Sequence, residues 1–362
     1  MEASKQEALK IGRNQHSQRK RWEGLGLRCV EADHRHTDKM VYVVFNGWYV
    51  REIGEWGTGD QQFRDPCGVA ISPNGDFWVA DRGNHRLHHF NARYVLAFTE
   101  RPLCFILDAN HDVTGSGKPL RVLGYRGKVE GQLENPSGVV MSPDGTGVFV
   151  ADRGNDRVCI FNLDGACKCI VGQGSGRGCG QMQGPCGVAV RQTGELAVCD
   201  YGNNRVQIFA ASDGDIWGEW SCVQTYGDNG GDSDRLLQPS AVCFDAEGRL
   251  VVADQGHQRV VVYGENGKVC QELKGAVNEE NTFNGPSAVG VGGNGDIVVA
   301  DQGNHRVQIF SKGGLFLRSF GFKGHDLGRL YNPRGLALGP NGEIAVADYS
   351  NHRIVVAEFA ER

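Results

Sequence analysis

The sequence predicts an all-β fold, a six-bladed β-propeller over residues 39–362 of a 362-residue chain. Three observations carry this expectation. One segment recurs six times, each copy holds four short strand patterns parted by turn residues, and the last copy lacks a strand that the start of the chain can supply. Length alone would suggest two or three domains, a prior that repeat architectures override.

Each copy opens on Pro, followed in four of them by x-Gly, and alternating apolar residues, as in Asp65-Pro66-Cys67-Gly68-Val69-Ala70-Ile71 and Asn332-Pro333-Arg334-Gly335-Leu336-Ala337-Leu338. A hairpin turn follows, clearest at Pro73-Asn74-Gly75, Pro143-Asp144-Gly145 and Pro340-Asn341-Gly342. The second strand ends in Val-Ala-Asp, and a short loop leads to Asn-x-Arg, as in Val79-Ala80-Asp81-Arg82-Gly83-Asn84-His85-Arg86. A third strand (Arg306-Val307-Gln308-Ile309-Phe310) and, after a Gly-bearing turn, a fourth (Leu315-Phe316-Leu317-Arg318-Ser319-Phe320) complete the unit.

The Asp that ends the second strand stands at Asp81, Asp152, Asp200, Asp254, Asp301 and Asp348, at spacings of 71, 48, 54, 47 and 47. Four antiparallel strands per period are the mark of propeller blades. The long first interval holds an insertion, about residues 92–118, inside blade 1. The sixth copy runs out after Ile354-Val355-Val356-Ala357, while residues 41–54 read as the third and fourth strands of a repeat. N-terminal strands are therefore expected to complete blade 6 and leave no open sheet edge. Residues 1–38 read as a disordered tail.

Composition narrows the function. The 53 glycines, about twice the usual share, are spread along the chain, as many tight turns require. Net charge is −5; residues 1–38 hold eight Lys/Arg against six Asp/Glu, which leaves −7 on the remainder. An acidic body argues against non-specific nucleic-acid binding. No apolar run reaches the ~18 residues of a membrane span, and no signal-peptide core opens the sequence. The cytoplasm is the expected compartment, with the basic run Gln18-Arg19-Lys20-Arg21 as the one pointer to the nucleus. The twelve cysteines include no Cys-x-x-Cys pair and are read as mostly free thiols, with Cys159, Cys199 and Cys243 as small hydrophobes inside strands.

The Asn-His-Arg triplet within Asp-x-x-Asn-x-Arg, followed by a Val-x-Ile-Phe strand, resembles the NHL repeat, in six units over about 320 residues. The departures are Pro-Ser-Ala at 239–241 and 286–288, Gly256-His257 in blade 4, and Asp156 where His usually stands. The resemblance is to the NHL propellers of tripartite-motif proteins. It implies recognition of protein partners or RNA stem-loops, in proteins where an upstream RING domain transfers ubiquitin. This sequence holds no paired Cys/His zinc pattern, so ligase activity is not expected of it.

Six Asp–Arg pairs stand out: Asp81/Arg86, Asp152/Arg157, Asp200/Arg205, Asp254/Arg259, Asp301/Arg306 and Asp348/Arg353. An active site needs one constellation and not six. Their expected role is to pin the loop between second and third strands by charge-assisted hydrogen bonds. The slots that vary carry more information. The slot after the repeated Asp holds Arg82, Arg153, Tyr201, Gln255, Gln302 and Tyr349; the slot after the repeated Pro holds Cys67, Ser137, Cys186, Ser240, Ser287 and Arg334. Both are read as free to vary. The resemblance places these loops on one face, so Arg82, Arg153, Arg334, Tyr201, Tyr349, Gln255 and Gln302 are the candidate partner-binding residues. Blades 6, 1 and 2 would give a basic, aromatic-containing sector suited to interface hot spots and to stacking on bases.

Other constellations have plainer readings. His85, His88 and His89 are close in sequence, but His88 and His89 would point to opposite faces of a strand, and His34 and His36 lie far from them. The acidic loop Asp228–Asp234 lacks the ligand order of a calcium loop. The glycine-rich run Gly172–Gly178 opens no helix and has no following Lys-Ser/Thr, so it reads as a between-blade loop rather than a phosphate cradle.

Catalytic six-bladed propellers, lactonase-like and amidating-lyase-like, hold a metal through side chains that project into the channel. Here the innermost strands are apolar, with Asp245 at one end as their only acid. The reading is therefore a non-catalytic binding platform, with no metal, cofactor or small-molecule substrate. Protein is the first ligand class and RNA the second. A metal-dependent hydrolase or lyase is the alternative.

Overall fold

The computed structural model describes residues 28–30, 42–45, 48–91, 119–228, 231–264, 266–275, 282–340 and 342–359. The blade 1 insertion at about 92–118, His34, His36, the basic run at 18–21 and the centre of the acidic loop, residues 229–230, lie outside them. Blade 1 consists of Pro66–Ile71, Phe77–Asp81, Arg86–Phe90 and Arg121–Leu123, paired in that order. Blades 2 to 5 repeat the antiparallel order of four strands, beginning at Pro136, Pro185, Pro239 and Pro286. The first strands of successive blades touch one another all the way round, including blade 6 to blade 1, and so surround a central axis.

Blade 6 closes the ring as the sequence suggests, with one difference in detail. Its first three strands are Pro333–Leu338, Ile344–Asp348 and Arg353–Phe359, and Trp48–Ile53 adds as the fourth, from Ile354↔Ile53 to Phe359↔Trp48. The third position belongs to the C-terminal strand, so Tyr42–Phe45 cannot occupy it. It pairs outside Trp48–Ile53, and Arg28–Val30 pairs outside that, giving blade 6 six strands.

Burial explains the strand patterns. Each second strand is buried along its whole length, because both faces of a blade pack against neighbours; Phe77-Trp78-Val79-Ala80-Asp81 is an example. Fourth strands alternate instead, as in Phe316–Phe320, since one face meets solvent. The core is six clusters, one between each pair of adjacent blades. The one between blades 6 and 1 joins Ile53, Phe63, Val79, Phe90, Ile354 and Val356.

In four blades the glycine of Pro-x-Gly accommodates the close approach of the first strands. A Cβ on Gly138 would lie 2.3 Å from the carbonyl oxygen of Cys186 in blade 3, and one on Gly335 would lie 2.2 Å from that of Cys67. Alanine occurs instead in blades 4 and 5, at Ala241 and Ala288. Each first strand also carries a β-bulge just after its Pro, which turns it away from simple ladder pairing near the axis.

Candidate binding site on the loop face

The site is built on a hydrogen-bonded hub repeated in every blade. In blade 1 the fully buried Asp81 accepts the backbone N–H of Arg64 at Oδ1 (2.7 Å), and Asn84 Nδ2 and Arg86 Nε, both 2.8 Å, at Oδ2. Arg86 also donates to the carbonyls of Thr58, Gly59 and Gln62 in the loop that enters the blade. The pairs Asp152/Arg157, Asp200/Arg205, Asp254/Arg259, Asp301/Arg306 and Asp348/Arg353 are each joined at 2.8–2.9 Å, and all six carboxylates are buried. The hub thus ties down the between-blade loop as well as the loop between second and third strands. In blade 4, His257 Nδ1 contacts Asp254 at 2.8 Å in place of the usual Asn.

Between Asp and Arg the chain makes one turn of 3-10 helix, Arg82–Asn84 in blade 1, and ends in a left-handed residue, His85 at φ 57°. That residue has a role the sequence reading missed. His85 Nδ1 accepts the backbone N–H of Asn135 at the start of blade 2 (3.0 Å), and His305 Nδ1 that of Asn332 at the start of blade 6 (3.1 Å). Asp156 accepts from Gly184, Asn204 from Gln238, and Gln258 from Gly285. His352 accepts from Asp65 and completes the circle. Any side chain with an acceptor at the right reach serves, which is why Asp156 replaces His without loss of the link. The signal was present: all six residues at this position carry an acceptor.

The turn aims its first residue, the variable slot, at the axis. A funnel of about 270 Å³ opens there, and Arg82, Arg153, Tyr201, Gln255, Gln302 and Arg334 all line it. Tyr349 packs beneath Arg334, whose guanidinium sits 4.0 Å from the ring centroid, and Arg153 lies 4.8 Å from that of Tyr201. Gln255 Nε2 donates to Gln302 Oε1 (3.3 Å) across blades 4 and 5. Going round, the rim holds three arginines from blades 6, 1 and 2, flanked by two tyrosines and closed by an amide pair.

The slot after Pro differs from its sequence reading. It is not free to vary, because small polar side chains there bridge the first strands. Ser240 Oγ donates to the carbonyl of Pro286 (2.8 Å), Ser287 Oγ to that of Pro333 (2.7 Å), and Cys186 Sγ to that of Pro239 (3.3 Å). Ser137 and Cys67 contact each other at 3.5 Å. Arg334 breaks this belt.

The remaining histidines do not converge. His88 is buried against Phe63 and Phe90 and meets Asp81 Oδ2 at 3.1 Å, while His89 stacks on Trp78 at 4.0 Å and meets Asp76 at 3.0 Å. Burial pushes both below the ordinary histidine range. The glycine-rich run at 172–178 folds back on itself between blades 2 and 3, Gly178 N–H donating to Gln181 Oε1 (2.9 Å) and Gly176 N–H to the carbonyl of Met182 (3.2 Å). Among the described residues no group of three or more His, Cys, Asp or Glu could hold a metal, and none of those lining the funnel is a carboxylate or histidine. No helix among them is long and apolar enough to cross a membrane.

The NHL repeat family matches residues 63–90, 182–209, 236–263, 283–310 and 330–357. Five of the six blades are NHL repeats. Blade 2, the copy with Asp156, lies outside these matches yet keeps the same Asp152–Asn155–Arg157 hub. Over 152 residues the NHL propeller is 30% identical to the protein brain tumor of Drosophila melanogaster, covering 41% of this chain and 13% of that protein. Over 202 residues it is 24% identical to the human E3 ubiquitin-protein ligase TRIM32, covering 56% of this chain and 26% of that one. The matched segment thus spans about a quarter or less of these two relatives. A gluconolactonase of Zymomonas mobilis is 25% identical over 138 residues, 28% of this chain and 39% of the enzyme. Among solved structures, a Bacteroides thetaiotaomicron protein of unknown function superposes with a TM-score of 0.60 at 14% identity, covering 92% of this chain and 87% of that one, a likeness of fold alone.

Proposed function

We propose that this NHL propeller is a non-catalytic binding platform that holds a protein partner on the face carrying Arg82, Arg153, Arg334, Tyr201, Tyr349, Gln255 and Gln302. The observation that carries the reading is the convergence of the non-repeating side chains on one funnel, while the repeated polar residues are consumed in the hubs and links. Arg and Tyr in a concave, part-desolvated setting are what interface hot spots are made of. Kinship with brain tumor and TRIM32 supports a recognition role. Any part in ubiquitin transfer would be as the module that holds the substrate. The free thiols of the described region fit a reducing cytoplasm.

The lactonase-like alternative rests on a shorter match and would need metal ligands in the channel. The funnel wall of Val69, Val139, Val188, Val242, Val289 and Leu336 supplies none. RNA is the second ligand class, supported by the same arginines and opposed by the −7 body.

The test is affinity capture with wild-type protein and with Arg82→Glu/Arg153→Glu. Capture should be lost with the melting temperature unchanged; unchanged capture would place the contact face elsewhere. A salt series on any RNA recovered decides the ligand class, because phosphate contacts weaken steeply with salt.

A further inference from the structure

We infer that the funnel is a carboxylate pocket, filled by an Asp or Glu side chain that an acidic protein segment inserts along the propeller axis; this rests on the platform reading above. The contrast between two sets of arginines carries it. Arg86, Arg157, Arg205, Arg259, Arg306 and Arg353 are each paired with a buried carboxylate of their own blade. Arg82, Arg153 and Arg334 come from adjacent blades, line one concavity, and have no carboxylate partner among the described residues. Three unpaired guanidiniums on one side of a cavity, in a chain of net charge −5, form a local excess of positive charge against the sign of the whole molecule.

Arg334 sharpens the point. Its Nε is buried and has no acceptor within the protein, while a cation–π contact, 4.0 Å to the ring centroid, restrains its guanidinium against Tyr349. A buried charged donor without an acceptor is unusual and asks for a ligand oxygen. A guanidinium fixed in orientation is suited to the forked geometry of a carboxylate. On the far side Gln255 and Gln302 are neutral, so the pocket is polarised across its width.

Shape favours a peptide acid over a polynucleotide. The cavity is one axial pit of about 270 Å³, large enough for a side chain. A single-stranded nucleic acid uses a groove that follows several phosphates.

The experiment is fluorescence polarisation with labelled, end-blocked hexaglutamate, hexaglutamine and hexauridylate, on wild type, Arg334→Gln, Arg334→Lys and Arg318→Gln. Arg318→Gln makes the same charge change on the outer strand of blade 5. Hexaglutamate should bind and hexaglutamine should not. Arg334→Gln should weaken hexaglutamate by at least about thirtyfold, Arg334→Lys should restore part of the loss, and Arg318→Gln should change little. Thermal melts of each variant confirm the fold. No hexaglutamate binding, or equal losses in Arg334→Gln and Arg318→Gln, overturns the pocket. Tighter binding of hexauridylate overturns it in favour of a polynucleotide. If Arg82→Glu/Arg153→Glu leaves partner capture intact while hexaglutamate still depends on Arg334, the platform reading falls and the pocket stands. If capture is lost but hexaglutamate ignores Arg334, the pocket falls and the platform stands.

Discussion

His352 in the last blade accepts, at Nδ1, the backbone N–H of Asp65 at the head of the first, 3.2 Å away. The same atom of His85 and His305 makes the equivalent link between blades 1 and 2 and between blades 5 and 6. An imidazole can accept at Nδ1 only when that nitrogen is unprotonated. The residue on the donor side is held in the left-handed region, at φ 54° for Asp65, 51° for Asn135 and 55° for Asn332. Such a conformation costs about 1 kcal/mol or more away from glycine, so the link offsets local strain.

Acid should therefore weaken the ring. Burial holds the pKa of His85 and His305 below the ordinary histidine value, as it does for His88 and His89. The unfolded chain then takes up protons first. The stabilisation is complete above about pH 6.5, the unfolded value, and is lost as pH falls from there towards the lowered folded values. Glu52 and Asp348, raised by burial, act in the opposite sense but nearer the carboxylate range. The melting temperature should drop between pH 7.5 and 5.5. The double variant His85→Asn/His305→Asn, which copies the acceptor that Asn204 supplies in blade 3, should drop less. Equal drops in the two proteins would remove the histidine links from the account.

The hub arginines offer a second measurement. Arg157 is 12% exposed, and its partner Asp152 is fully buried. Removing the cation leaves a carboxylate out of water without its counter-charge, which costs about 3–5 kcal/mol, against about 0–1 for an exposed pair. Arg157→Ala and Arg306→Ala should both fall in the higher range in denaturant or thermal melts, and Arg177→Ala in the exposed glycine-rich loop should cost little. A small effect at Arg157 would mean that Asn155 and the backbone amide of Glu134 hold Asp152 unaided.

Much of this was legible in the sequence, for reasons that differ by residue. The blades were, because turn glycines, the terminal Asp and the Asn-x-Arg recur at a fixed period. The closing strand was, because the sixth copy stopped at Ile354–Ala357 without a fourth strand while residues 41–54 read as the end of a repeat with no beginning; that Tyr42–Phe45 would lie outside Trp48–Ile53 was not. The common face of the residues after Asp was expected from the NHL resemblance, and five of those six side chains line the funnel, with Tyr349 against Arg334. Two further things were not. The bridging role of Ser240, Ser287 and Cys186 depends on how near neighbouring blades approach, a distance between residues some fifty positions apart that no local pattern encodes. The link made by His85, Asp156, Asn204, Gln258, His305 and His352 was hidden because the residues differ in type, and only the shared acceptor unites them.

The closeness of the inner strands gives a third prediction. A methyl group at Gly138 would meet the carbonyl oxygen of Cys186 at 2.3 Å, and this contact is backbone, with no side chain to swing aside. Gly138→Ala should cost about 1–3 kcal/mol through overpacking, despite a backbone conformation that alanine accepts. Ala241→Gly, the reverse change at the matching position of blade 4, should cost about 0.5–1 kcal/mol, the penalty of chain freedom. Equal and small costs would show that the blades can part by a few tenths of an ångström without penalty.

The seam between the ends of the chain gives the last. Trp48–Ile53 pairs along the whole of Ile354–Phe359, Glu52 forms an ion pair with Arg353, and Ile53, 5% exposed, packs among Phe63, Val79, Ile354 and Val356. A propeller has no sheet edges to spare, because an unpaired third strand presents bare N–H and C=O groups and an uncovered apolar face. A chain beginning at residue 48 keeps the closing strand and should melt cooperatively as the full chain does. A chain beginning at residue 54 loses it and should aggregate or melt at a much lower temperature, as size-exclusion chromatography and thermal melts would report. Within the intact chain, Ile53→Ala should cost about 2–5 kcal/mol, the range for removing a buried Ile side chain. If the chain from residue 54 stays monomeric and as stable as the whole, the ring is held shut by the His352–Asp65 link and the contacts between first strands, and the N-terminal strand only covers the edge.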